Sequence, residues 1–334
     1  MGDKTKIEWT DATWNPVTGC TKVSAGCKFC YAERDFHRPY PGRAFTDVQT
    51  HPKRLLQPLR WRRPRRIFVD SMGDLFHEDV PVPFIDQCFA VMALASRHTF
   101  QVLTKRPERM RNYFDLSYVS NLSPAAISGY LLEQPYKNVW LGVSVEDQPT
   151  ADERIPLLLQ TKAAVRFVSY EPALGPVDFN NIELLKEFDL SRTVSAHVDA
   201  LTEHDDEHFF NQHAKLDWVI AGGESGRNAR PSHPDWFRAV RDQCQAAGVP
   251  FFFKQWGEWN PTKNSNVVRP SDAGKLSRYT VACSTVREEI GQTVYHAYPS
   301  VPQDGIGIYE RLEQVGKKRA GRMLDGREWN EFPQ

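Results

Sequence analysis

No apolar run in this chain exceeds eight residues, Cys88 to Ala95, whereas a membrane-spanning helix needs roughly 20. The opening stretch MGDKTKIEWTD has no apolar core of the secretory kind, so a soluble, cytoplasmic protein with no membrane partner is expected. An excess of one charge is missing too. Lys plus Arg and Asp plus Glu both total 42, which removes any bulk electrostatic case for nucleic acid. Six cysteines in 334 residues are too few for a disulfide scaffold. The chain has no internal repeat and no low-complexity linker. Gly222-Gly-Glu-Ser-Gly226 lacks the Gly-Lys-Ser/Thr ending of a nucleoside triphosphate loop and the full G-x-G-x-x-G of a dinucleotide fold. The nucleophile elbow of a serine hydrolase is absent as well. What remains, at 40% hydrophobic and 25% charged residues, is globular composition.

The chain does carry a rhythm. Between residues 60 and 260, short β-rich apolar runs alternate with turns and helical stretches. The runs cover residues 66–70, 99–104, 139–144, 165–169, 218–221 and 250–254. Continuous apolar runs of this kind suit strands buried on both faces, as in a parallel sheet. Pro83 opens an amphipathic stretch over 84–97, and Pro107 opens another over 108–114. Thr150 and Glu153 read as a capping box before Ile155, with Pro156 limiting or kinking that helix. Ser232 and Pro234 start a further helix that Gly248 can stop.

Repeated β-α units predict a parallel α/β sheet, open or rolled into a barrel. Such a barrel takes roughly 250 residues. The expected organisation is therefore a barrel over residues 1–259 and a C-terminal extension over 260–334 packed on it. Residues 186–215 hold His197, His204, His208 and His213 among acids, and read as a solvated insertion rather than a metal site. The basic stretch 308–322 reads as helical. Each expected strand ends in polar text, where the loops of an α/β barrel converge on chemistry. Examples are Thr104-Lys-Arg106, Ser169-Tyr-Glu171 and Lys254-Gln255.

Cys20, Cys27 and Cys30 stand at spacing C-x6-C-x2-C, while Cys88 and Cys244 read as core positions and Cys283 as a strand residue. The last pair of the cluster can grip one metal from a single turn, and Gly26 lets the backbone bend beside it. Three soft thiolates suit zinc or an iron–sulfur cluster. Structural zinc wants a fourth protein ligand, for which His37 is the best candidate. A cubane cluster on three cysteines leaves one iron open to a small molecule instead. The text after Cys30 reads as a helix start, whose partial positive end favours an anionic thiolate centre. Three unrelated buried cysteines are the remaining reading.

A cysteine loop near the N-terminus, with Phe29 before its last cysteine and Tyr31 after it, resembles the cluster loop of radical S-adenosylmethionine enzymes. The usual spacing there is three and two intervening residues; here it is six and two. The fuller resemblance is to a bacterial and phage family of three-cysteine, radical-SAM-like proteins. Ile7-Glu-Trp-Thr-Asp-Ala-Thr-Trp-Asn-Pro16, the loop itself, Asp70-Ser-Met-Gly-Asp-Leu-Phe76 and Gly222-Gly-Glu-Ser-Gly226 carry it, with Lys317-Lys-Arg-Ala-Gly-Arg-Met-Leu-Asp-Gly326. The resemblance implies an α/β fold of the partial (β/α)6, TIM-like type, with the loop after its first strand. It implies a [4Fe–4S] cluster on Cys20, Cys27 and Cys30, S-adenosylmethionine on the open iron, and a flavodoxin- or ferredoxin-like reductant.

By position in that pattern, Ser71, Met72, Gly73 and Asp74 hold the methionine amino group, and Ser144 and Glu146 contact the ribose. Gly222, Gly223 and Glu224 border the nucleoside or substrate. One-electron reduction would cleave the sulfonium to a 5′-deoxyadenosyl radical that takes hydrogen from an unidentified substrate. Two other readings stay open. One is a zinc-stabilised, non-catalytic binding protein. The other is a barrel hydrolase or lyase with a structural cluster and Glu171 or Glu224 as general base. Residues 53–66, KRLLQPLRWRRPRR, carry seven basic residues and no acid. They form an exposed connection, or a phosphate-binding stretch with Trp61 stacking on a base, so a phosphorylated, nucleotide or nucleic-acid substrate stays open.

Overall fold

Seven apolar segments lie side by side and all run in one direction. They are β1 (Ala12–Trp14), β2 (Arg66–Val69), β3 (Thr99–Thr104), β4 (Val139–Val145), β5 (Val165–Tyr170), β6 (Trp218–Gly222) and β7 (Phe251–Gln255). The computed structural model describes residues 5–115, 135–188, 192–203, 214–261, 280–287, 293–298 and 307–334. Each strand pairs with the next in sequence, every pair parallel. Repeated strand–helix crossovers of one hand produce that order. Among the described residues β1 does not pair with β7, so the sheet is a curled half-barrel with helices flanking it. Six strands match the six expected runs to within one or two residues. The seventh, β1, is three residues long and too short to read as a run.

Alternation along the strands divides the core into two faces. Trp218 and Ile220 of β6 pack with Phe167, Phe252, Phe68 and Trp9 on one face. Val219 and Ala221 join the larger cluster that the helices cover. Those helices are α1 (Tyr31–Asp35), α2 (Val82–Leu94), α3 (Pro107–Phe114), α4 (Gln148–Leu159) and α5 (Pro234–Ala247). Ile85, Cys88, Phe89 and Met92 make the buried stripe of α2. Cys244 continues the buried face of Trp236, Phe237 and Val240 on α5, and Gly248 ends that helix in the left-handed conformation. Cys283 lies on the strand Thr280–Arg287.

Three expectations are corrected. The cap of α4 is Asp147, whose carboxylate accepts from the Thr150 amide, and the helix runs through Pro156 to Leu159. Proline in a helix interior costs about 3 kcal/mol. Complete burial of Ile155, Leu158 and Leu159 offsets that cost. The 186–215 insertion begins inside an antiparallel hairpin, Ile182–Phe188 with Arg192–Val198, anchored by buried Ile182 and Leu184. His197 is exposed on that hairpin, and residues 204–213, with the other three histidines, lie outside the described residues. The 308–322 stretch is mainly strand. Gly307–Gln314 pairs with Trp259–Pro261 on one side and Thr280–Arg287 on the other, and only Lys317–Ala320 (α6) is helical. Pairing on both edges outweighs the local helical pattern.

The last residues protect the free edge of β7, which would otherwise offer unpaired amides to another chain. Phe253 donates its amide to Trp329 O at 3.0 Å, and Phe252 bridges to Asn330. Trp218 Nε1 donates to Glu331 O at 2.8 Å. Trp218 is fully buried and touches the rings of Trp9, Trp140, Phe167, Phe252 and Phe332. Trp218→Ala should therefore destabilise the protein by about 3–5 kcal/mol in urea unfolding. Leu94→Ala, at a position 71% exposed, should stay within about 0.5 kcal/mol. Equal losses would contradict this account of the core.

Candidate functional site

The C-terminal ends of the parallel strands surround a cavity of about 480 Å³. Ser71, Gly73 and Asp74 reach it from β2, Thr104, Lys105 and Arg106 from β3, and Ser144 from β4. Ser169 and Glu171 come from β5, Glu224 and Ser225 from β6, and Lys254 and Gln255 from β7. Trp9, Phe68 and Leu103 give it an apolar floor. Volumes of this size hold a small organic ligand.

Cys20, Cys27 and Cys30 all line this cavity, and all are free thiols. The loop that carries them is stitched to the sheet at its start. Gly19 N–H donates to Met72 O at 2.9 Å, and Cys20 N–H donates to Phe45 O at 2.9 Å. A single 3-10 turn over Ala25–Cys27 then leads to Cys30, which caps α1. Burial raises the Cys30 thiol's pKa, opposed by the Glu33 and Ala32 amides directed at its sulfur. Burial also pushes Cys20 up to about 12, aided by Asp74 and opposed by Arg106. Metal ligation has to displace the proton of each thiol it uses. Among the described residues, no three Cys, His, Asp or Glu side chains are gathered around a site for a single metal ion. The three thiols share one cavity wall. His37 is exposed beyond the end of α1 and does not line the cavity.

The other sequence-derived residues divide into two groups. Ser71, Gly73, Asp74, Ser144 and Glu224 line the cavity beside the thiols; Met72, Glu146, Gly222 and Gly223 do not. Met72 donates its amide to Asn15 Oδ1 at 3.1 Å and accepts from Gly19, so it holds backbone. The Glu146 carboxylate is completely buried, and it accepts from Lys105 Nζ, from Arg154 Nη1 at 3.2 Å and from Ser24 Oγ at 2.9 Å. Burial alone would raise its pKa, but Lys105 and Arg154 outweigh that and hold it below the usual range. A Cβ on Gly223 would overlap the Trp256 carbonyl, which makes that glycine a packing requirement between β6 and β7. Glu224 is tied to Arg230, whose Nε and Nη2 donate at 2.9 and 2.6 Å.

Several participants carried no assignable role in the sequence. Lys254 Nζ donates to both oxygens of Glu171 at 2.8 and 2.7 Å, forming an ion pair on the cavity wall. Tyr31 Oη donates to Ser71 O at 2.9 Å and ties α1 to the end of β2. Asp70 lines the cavity with left-handed backbone (φ 57°), and its buried carboxyl accepts from the Val17 amide at 2.9 Å. Burial raises the Asp70 pKa well above the carboxylate range. Lys254 and Glu171 stand 83 positions apart, so only the strand-end positions, not the pairing, were readable.

A family model described as protein of unknown function (DUF5131) matches residues 4–333, and the chain belongs to that family. No curated protein and no solved structure matches the chain. No helix of the described residues is long and apolar enough to cross a membrane.

The seat of the cysteine loop is tested at Gly26, whose place a Cβ would share with the Glu146 carboxylate. Gly26→Ala should leave unfolding cooperative yet speed the reaction of Cys27 with a maleimide several-fold, because the loop must lift. An unchanged rate would show that the loop does not rest on Glu146.

Proposed function

We propose that this chain is an iron–sulfur enzyme with chemistry similar to that of radical S-adenosylmethionine proteins. Cys20, Cys27 and Cys30 would hold a [4Fe–4S] centre, and the adjoining cavity would take S-adenosylmethionine and then substrate. One observation carries the reading: three free thiols on one short loop open into a cavity at the strand ends, where barrel chemistry collects. The donor set fits, since thiolate sulfur suits an iron–sulfur centre. The surroundings would suit an anionic centre, since Arg106 from the end of β3 lines the same cavity and reaches Cys20 Sγ. When bound, the centre would supply one electron to the sulfonium, releasing methionine and a 5′-deoxyadenosyl radical.

The chain's own residues do the rest. Ser71, Gly73 and Asp74 would bind at the methionine end and Ser144 at the ribose. Trp9, Phe68 and Leu103 exclude water from the floor. Glu146, behind the wall, would act through Ser24 and Lys105 on the loop rather than on the ligand. A flavodoxin- or ferredoxin-like donor and a cytoplasmic setting, where thiols stay reduced, complete the proposal. Two observations weigh against the alternatives. His37 is exposed and does not line the cavity that the thiols share, and Glu171 and Glu224 are each tied to a cation, Lys254 and Arg230.

The test is anaerobic reconstitution followed by dithionite and S-adenosylmethionine, with detection of 5′-deoxyadenosine. The intact chain and Cys88→Ala should both form product, while Cys27→Ala should lose the thiolate-to-iron absorption and all product. Zinc alone in the purified protein, with no cleavage, would contradict the proposal.

A further inference from the structure

We propose that Arg106 is a positioning residue for the thiolate centre, holding the Cys20 sulfur and raising the centre's affinity for an electron. The inference rests on the reading that these thiols hold an iron–sulfur centre. Arg106 follows β3 and caps α3. Its Nη1 donates to Cys20 Sγ at 3.5 Å and to Asp74 Oδ2 at 3.1 Å. Its Nη2 donates to Thr21 Oγ1 at 2.8 Å, and its Nε to Glu78 Oε2 at 2.8 Å. Thr21 is pinned from a second side by His77 Nε2 at 2.9 Å. All three nitrogens of the guanidinium are engaged, so its plane is fixed and one edge faces the sulfur.

Asp74 supports this arrangement. Its carboxylate accepts from Thr104 Oγ1 at 2.8 Å, from the Phe76 amide at 2.9 Å and from the Lys105 amide at 3.2 Å, besides Arg106. That set anchors the guanidinium to β3 and to the end of β2 together. Side-chain exposure of Arg106 is only 9%, so water screens its charge little. Reduction would add one electron, taken from the donor protein, to a centre that its thiolates would make anionic. A fixed cation with an N–H on a ligand sulfur stabilises the reduced form more than the oxidised one. No bond breaks at Arg106 and no proton leaves it, because a guanidinium stays charged in proteins.

Reconstituted wild type, Arg106→Gln, Arg106→Lys and Asp242→Asn are compared by anaerobic redox titration, with iron per chain measured for each. Arg106→Gln should retain its iron but be about tenfold harder to reduce, which is 59 mV for a one-electron couple. Arg106→Lys keeps the charge without the fork and should recover most of the difference; Asp242→Asn, an exposed charge on α5 away from the cavity, should match wild type. Equal potentials in Arg106→Gln and wild type would overturn the proposal. Should Arg106→Gln fail to fold, Arg106→Lys carries the test: a smaller drop is expected, and no drop overturns it. Wild type without iron would instead refute the cluster reading. The contact itself is then read in the metal-free chain, where Arg106→Gln removes the guanidinium packed on the Cys20 sulfur and should speed the reaction of Cys20 with a bulky maleimide several-fold relative to Cys27. An unchanged ratio would overturn the role of Arg106 there too.

Discussion

A carboxylate with no solvent exposure, Glu146 at the end of β4, fixes what sits above the sheet. An ionised group in that position is tolerable only with partners, because an uncompensated buried charge costs several kcal/mol. The partners come from three different elements: Lys105 beyond β3, Arg154 on α4 and Ser24 in the cysteine loop. Satisfying one charge therefore locks the loop, a helix and two strand ends into one geometry. The attraction wins over desolvation, which holds the Glu146 pKa below the ordinary glutamate value. Its contribution to stability is fully present above that unfolded-state value and is lost as pH falls through the lower folded one.

Beneath this charged layer the sheet is aromatic. Trp9 and Phe68 belong both to the ring cluster around Trp218 and to the cavity floor. The same side chains thus stabilise the half-barrel and keep the inner end of the cavity apolar. Polar groups cluster at the rim, largely as fixed pairs: Glu171 with Lys254, Glu224 with Arg230, Asp74 with Arg106. Charges held in pairs need little reorganisation when a ligand enters, which suits a site that orients a reactive cofactor.

The sheet was legible because its strands are continuous apolar runs, and helix starts were legible because Pro83, Pro107 and Pro234 mark them. What local text could not give was any element whose stability comes from a distant partner. Gly307–Gln314 reads as helix until its two neighbouring strands are known. Ala12–Trp14 is a strand only because β2 lies beside it. In the site, spacing alone selected Cys20, Cys27 and Cys30, which share one wall, whereas His37 met the same kind of spacing argument and lies elsewhere. Lys105 and Arg106 were visible as polar strand-end residues, but their partners stand 41 and 86 positions away. Glu146, placed at the ribose by resemblance, has its oxygens on Ser24 of the loop and Arg154 of α4.

Mössbauer spectroscopy of the protein reconstituted with enriched iron tests the central claim most directly. Three protein thiolates on a cubane leave one iron without a cysteine ligand, so the account predicts a [4Fe–4S] signature in which adding S-adenosylmethionine shifts a quarter of the iron signal. A spectrum unchanged by S-adenosylmethionine, or iron bound without sulfide, would contradict it.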